Sequence, residues 1–125
     1  MAEQAFDTPE HAAQALAADA GLQGQQASNA KVCLGPSNNG WFELSWTAQA
    51  VGNYDWIGLY KTTSDSDGDY IGGNNWQWAT KGGPYVTNTA CQAGYEARYL
   101  VWDANSKAYK AIARTGGFPA TQCSS

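Results

Sequence analysis

From Lys31 to Arg114 the chain is cut into short β-patterned runs by clusters of turn residues, and this rhythm constrains the fold more than any other feature. The clusters read GPSNNG, AVGN, SDSDGD, KGG, QAG and DANSK. Glycine, proline, asparagine and aspartate supply the backbone angles that reverse a chain, so each cluster ends one run and starts the next. Between them the spacing predicts strands at Val32–Leu34, Trp41–Thr47, Asp55–Tyr60, Asn75–Thr80, Tyr85–Ala90, Tyr95–Trp102 and Tyr109–Arg114. These runs are too short and too rich in aromatic and β-branched residues to be helices. About seven short strands joined by tight turns imply an all-β fold, an immunoglobulin-like antiparallel β-sandwich.

The side-chain alternation assigns faces to some of these strands. Phe42, Leu44 and Trp46 alternate with Trp41, Glu43 and Ser45, giving that strand one core face and one wet face. On the sixth strand Tyr95, Ala97, Tyr99 and Val101 alternate with Glu96, Arg98, Leu100 and Trp102, so its second face is mixed. Trp46, Ile57, Leu59, Tyr99 and Val101 are the expected core.

Residues 1–30 differ in composition and are read as an N-terminal helix and linker preceding a β-sandwich domain at 31–125. Thr8 followed by Pro9 and Glu10 is a helix start: a hydroxyl to accept free N–H groups, then a proline with preset φ. Ala12, Ala13, Leu16, Ala17 and Ala20 recur at helical spacing, and Gly21 offers a stop. A helix this short is marginal alone in water. It is expected to pack on the sandwich or on a second copy of the chain, making a homo-oligomer. Gln23–Ala30 reads as a linker.

The strand Asp55-Trp56-Ile57-Gly58-Leu59-Tyr60-Lys61, then Tyr70 and Trp78, then Tyr95-Glu96-Ala97-Arg98-Tyr99 resembles the SKICH domain. That family has a D-W-[VI]-G-[LIF]-[FY]-K strand, a Tyr/Trp hairpin and a late Y-x-[FA]-x-Y strand on an immunoglobulin-like sandwich. The resemblance covers Lys31 to Phe118, about two-thirds of the chain. It implies a targeting or protein-interaction module without catalysis. The acidic turn at Asp65–Asp69, the Asn-Asn-Trp-Gln-Trp strand and the N-terminal helix lie outside the family pattern.

Composition narrows the function classes. Charged residues are only 14% of the chain and the net charge is −4, with no basic run. Nucleic-acid binding draws on clustered Lys and Arg, so nucleic acid is excluded as an expected partner. No apolar run approaches the roughly 20 residues of a membrane-spanning helix. Residue 1 is Met and no basic-then-apolar leader follows, so the chain is read as made without one or as a mature form given Met1; compartment stays open. Six tryptophans and seven tyrosines are more large rings than one small core holds easily, so several are expected at the surface, where such rings bind ligands.

Two constellations lie between Lys61 and Thr80. Asp65, Asp67 and Asp69 alternate around Ser66 and Gly68, the spacing of the acidic part of a calcium loop; the same residues also make an ordinary hairpin tip. Asn74, Asn75, Trp76, Gln77 and Trp78 pair flat rings with side-chain amides, a mixture that suits the C–H faces and hydroxyls of a sugar. The expectation is therefore a carbohydrate-binding protein, a lectin. Tyr70 or Trp76 would stack on the sugar, Asn74, Asn75 and Gln77 would bond its hydroxyls, and Asp65, Asp67 and Asp69 would hold calcium or bond directly. A SKICH-type interaction or membrane-targeting module, or a small effector or toxin component, are the alternatives.

No catalytic set is visible: His11 is read as a solvated helix residue, and Glu43 and Glu96 as solvated strand positions. Arg98, Lys110 and Arg114 fall on one outer sheet face, either merely solvated or able to bind a phosphate or sulfate. Three cysteines allow one disulfide. Cys91 and Cys123 fall at one end of the sandwich and could pair, with Cys33 a competing partner for either.

Overall fold

The computed structural model describes residues 6–120. Seven antiparallel strands form two facing sheets: β1 (Asn29–Pro36), β2 (Trp41–Gln49), β3 (Trp56–Tyr60), β4 (Trp76–Trp78), β5 (Tyr85–Ala90), β6 (Glu96–Asp103) and β7 (Ala108–Arg114). One sheet has the order β1-β2-β5 and the other β4-β3-β6-β7. Among the described residues one α-helix, α1 (Pro9–Ala18), and a 3-10 turn at Ala20–Leu22 precede them.

Strand register follows from apolar residues sharing a face. Val32 pairs with Trp46 and Leu34 with Leu44 across β1 and β2, while Ile57 pairs with Tyr99 and Leu59 with Ala97 across β3 and β6. These faces, with Phe42 and Val101, close on one another as the core between the sheets. Ile57, Leu59, Tyr99 and Val101 are buried as expected. Trp46 is only half-buried; it caps one end of this core and donates its indole N–H to the Ala79 carbonyl at 3.1 Å.

The expected strand Asn75–Thr80 is shorter than its pattern. β4 spans only Trp76–Trp78 at the sheet edge, because the Ala79 N–H bonds back to the Asp55 carbonyl at 2.9 Å and turns the chain into a 3-10 turn, Ala79–Lys81. Asp55 likewise lies outside β3. Its buried carboxylate accepts from Gly52 N at 2.8 Å, Ala27 N at 3.1 Å and the Tyr99 hydroxyl at 2.9 Å. One carboxylate thus ties the linker, the β2–β3 turn and β6 together. Burial still dominates those bonds and pushes the Asp55 carboxyl above its ordinary value.

β3 and β6 are buried on both faces, which explains why β6 shows no apolar–polar alternation. The outer face of their sheet carries Trp56, Tyr60, Trp78, Leu100 and Trp102, a patch too apolar to leave in water. α1 covers it with Ala12 and Leu16, joined by half-buried Phe6 and Ala13. The helix begins as expected: Thr8 Oγ1 accepts from His11 N at 3.2 Å and Pro9 occupies the first turn. It ends at Ala18 rather than at Gly21, because Asp19 turns extended and its carboxylate takes the Gly21 N–H. His11 is exposed and contacts Asp7 one turn back. The apolar stripe that a second protomer would need is therefore buried against the helix's own sandwich.

The sixth strand brings a further correction. Glu96 and Arg98 were expected on a solvated face, yet each is 1% exposed, beneath the loop that follows β3. The Arg98 guanidinium bonds Glu96 at 2.5 Å and Asp67 at 2.9 Å and lies 4.0 Å from the centroid of the Tyr60 ring. Arg114 closes on Glu96 at 2.7 Å and also bonds the Thr63 carbonyl. This face is consumed by two arginines and two carboxylates and is not open to a phosphate. Cys33 is disulfide-bonded and Cys91 is a free, half-buried thiol, so the Cys91–Cys123 pairing is not made; Cys123 itself lies outside the described residues.

Candidate binding cleft

Where α1, the loop after β3 and the β6–β7 turn meet on the outer face of the four-stranded sheet, they leave a cavity of about 230 Å³. Trp56 is its floor. The residue two positions on must be Gly58, because a Cβ there would lie 2.6 Å from Cζ3 of the Trp56 ring. The glycine of the Asp-Trp-Ile-Gly strand is thus the place where the indole folds flat along the sheet. Tyr70 packs on Trp56 with ring centroids 4.7 Å apart, and Tyr109 meets it edge to face at 5.6 Å and 82°. Edge-to-face pairs of this kind are favoured by the ring quadrupoles. Trp56 Nε1 and Trp102 Nε1 make no hydrogen bond among the described residues, and both indoles are packed edge to face against Tyr109.

The walls are held by specific bonds. The Tyr70 hydroxyl donates to Glu10 Oε1 at 2.7 Å, fastening the first turn of α1 to the loop. The Tyr109 hydroxyl donates to the Tyr54 carbonyl at 2.7 Å. Burial first, and then the Glu10 carboxylate, raise the Tyr70 phenol above its ordinary range; burial does the same for Tyr109. Both phenols therefore stay neutral donors. Asp67 reaches under the loop: Oδ1 pairs with Arg98, Oδ2 accepts from Ala111 N at 3.2 Å, and its carbonyl takes the Tyr60 hydroxyl at 2.5 Å. Lys107 stands on the β6–β7 turn with φ of 55°, an uncommon conformation for a residue with a side chain.

The residues singled out from the sequence separate here. Tyr70 and Asp67 line the cleft. Trp76 is half-buried on the same outer face, edge-on to Trp56 at 6.4 Å and to Trp78 at 5.0 Å. Asn75 is buried, its amide donating to the Gly72 carbonyl at 2.9 Å and accepting from Thr89 Oγ1 at 2.7 Å. Gln77 Oε1 accepts the Trp78 N–H at 2.9 Å. Asn74 is exposed, and its carbonyl takes the Tyr85 hydroxyl at 2.8 Å. These amides brace the β3–β4 connection.

The three aspartates also do not act together. Asp65 caps the turn at Thr62 N at 3.3 Å, Asp69 accepts from Ser66 Oγ at 2.7 Å, and Asp67 is paired with Arg98. Among the described residues no group of three or more His, Cys, Asp or Glu side chains converges to hold a metal ion. Trp56, Tyr109, Glu10 and Lys107 were not foreseen as site residues. Trp56 stood out in the sequence only as part of the Asp-Trp-Ile-Gly strand that resembles the SKICH pattern, with no binding role.

A larger depression, of about 690 Å³, runs along the outer face of the three-stranded sheet past Lys31, Ser45, Thr47 and Ile112. It has no cluster of aromatic faces, and Cys33 within it is already disulfide-bonded. The smaller cleft carries the more distinctive chemistry. Among the described residues no helix is long and apolar enough to cross a membrane. Compared with known proteins, the chain matches no protein-family model, no curated protein and no solved structure.

Proposed function

We propose that this chain is a non-catalytic carbohydrate-binding module whose cleft takes a single sugar ring. One observation carries the reading: the rings of Trp56, Tyr70 and Tyr109 meet Glu10, Asp67 and Lys107 in one cavity of about 230 Å³. A sugar offers apolar C–H faces to aromatic rings and hydroxyls to charged rims, and this cleft supplies both. The volume is below the roughly 300–1,000 Å³ of pockets for drug-sized ligands, in keeping with one ring and no more. Roughly twelve non-hydrogen atoms at about −0.3 kcal/mol each give about −3.6 kcal/mol, a millimolar affinity. Trp76 and Gln77 belong to β4 and Asn74 stands just before it, beside the cleft and not among the residues that line it.

The reading does not call on calcium, since Asp67 is committed to Arg98 while Asp65 and Asp69 cap their own turns. The strand order β1-β2-β5 facing β4-β3-β6-β7 supports an immunoglobulin-like sandwich, and with it the resemblance to SKICH domains. The test is a glycan array probed with the full chain, with and without EDTA. Binding that survives EDTA and falls on Tyr70→Ala is the expected result; no glycan bound in either condition overturns the reading.

A second reading rests on Trp41 and Val86, exposed at 41% and 43% on neighbouring strands of the three-stranded sheet. Such a pair favours contact with another protein, or with a second copy now that the stripe of α1 is used internally. Trp41→Ser would then change the sedimentation mass or partner binding and leave the glycan array untouched.

A further inference from the structure

The groups lining the cleft define the sugar more closely. Apart from two tyrosine phenols, no neutral hydroxyl and no side-chain amide is among them, and both phenols already donate, to Glu10 and to the Tyr54 carbonyl. What remains for a ligand is the half-buried rings of Tyr70 and Tyr109, with Trp56 only 2% exposed beneath them, and a few charges. Aromatic faces carry negative charge density and attract a cation. The Asp67 carboxylate is neutralised by Arg98, whose other bonds run to Glu96 and the loop carbonyls. Glu10 is different: Tyr70 holds one of its oxygens in place, and the other takes no hydrogen bond among the described residues. Lys107 is exposed and makes no ion pair among the described residues, and its flexible stem lets the ammonium turn to water. Both charges line the cavity, but the one held in place there, by the Tyr70 hydroxyl, is negative.

We infer that the ring the cleft selects carries a protonated amine, a hexosamine with a free amino group, its ammonium set against the aromatic faces and Glu10. The inference rests on the carbohydrate reading and goes one step further, to the class of sugar. A neutral sugar can donate a hydroxyl to Glu10 but brings no opposite charge to it, and an acidic sugar would face repulsion from it. Acetylation would remove the charge and add bulk, so N-acetylhexosamine is expected to bind no better than a neutral hexose.

The experiment is titration calorimetry of the full chain with glucosamine, glucose and N-acetylglucosamine, at a pH where the amine is protonated. Glucosamine is expected to bind about tenfold more tightly than glucose. Glu10→Gln should collapse that ratio towards one, and so should raising the pH until the amine loses its proton. Equal affinity of glucosamine and glucose for the native chain would overturn the inference while leaving the carbohydrate reading standing. A preference that persists undiminished in Glu10→Gln would also overturn it, by moving the selecting charge elsewhere. If none of the three sugars binds, the inference falls, and the glycan array alone decides the carbohydrate reading.

Discussion

Leu16→Ala tests whether the N-terminal helix is part of the fold or merely attached to it. Leu16 is 1% exposed and sits in the cluster of Trp56, Tyr60, Leu100 and Trp102 on the outer sheet face. Truncating a buried leucine to alanine costs about 2–5 kcal/mol, the low end where neighbours can collapse into the space. This site lies under a single short helix flanked by the small side chains of Ala12 and Ala13, so we expect about 2–3 kcal/mol. Helix propensity adds no penalty, because alanine is the better helix former. An unfolding entropy of about 2.1 cal/mol/K per residue over 125 residues is about 0.26 kcal/mol/K, so Tm should fall by about 8–11 °C. Scanning calorimetry reads the shift, and near-UV circular dichroism reads the tryptophans beneath the helix. Gln14→Ala, on the exposed side of α1, is the control and should move Tm very little. A shift below about 2 °C for Leu16→Ala, with the near-UV spectrum unchanged, would refute the helix as a structural layer.

The charged side chains give two more expected outcomes. Glu96→Gln leaves Arg98 and Arg114 without their shared carboxylate; breaking a buried pair costs about 3–5 kcal/mol, and we expect about 3 because Asp67 and the loop carbonyls still hold Arg98. Urea unfolding with unchanged m reads this, and a loss under about 1 kcal/mol would show the cluster to be dispensable. Two aspartates should titrate on opposite sides of the ordinary 3.8 in carboxyl-detected NMR: Asp55 above it, raised by burial, and Asp103 below it, held down by Ser106 and Lys110. In linkage terms, the Asp55 contribution is fully present below its unfolded pKa and is lost as pH rises through the folded value. The Asp103 contribution is present above the unfolded pKa and is lost as pH falls through the folded value. The reverse order of the two titrations would contradict both assignments.

The strands were legible because turn residues and β-branched runs act locally. Phe42 and Leu44 advertise a core face by alternation, and that face meets Ile57 and Leu59, which stand in an unbroken apolar run. What alternation cannot show is a second covered face. β6 reads as mixed because Leu100 and Trp102 are buried beneath a helix that lies some eighty residues earlier in the chain, while Glu96 and Arg98 are buried beneath a loop. Nothing near those residues in sequence announces either cover. For the same reason the site residues divided: Tyr70 lay within one suggestive segment, whereas Glu10 comes from α1 and Lys107 and Tyr109 from the β6–β7 hairpin, two distant places that only the fold brings together. The amides of Asn75 and Gln77 looked like ligand donors because sequence cannot tell an amide that bonds its own backbone from one that faces water.

We propose a sugar ring in the cleft between α1, the loop after β3 and the β6–β7 turn. A titration of isotope-labelled chain with glucosamine, followed in proton–nitrogen correlation spectra, tests it directly. A sugar bound there should give concerted, saturable shifts in the Trp56 indole N–H and in the backbone amides of Glu10, Gly68, Tyr70 and Lys107, with Trp41 and Val86 unmoved. Shifts that cluster instead at Trp41 and Val86, or no saturable shift anywhere up to the millimolar range expected of such a site, would contradict it.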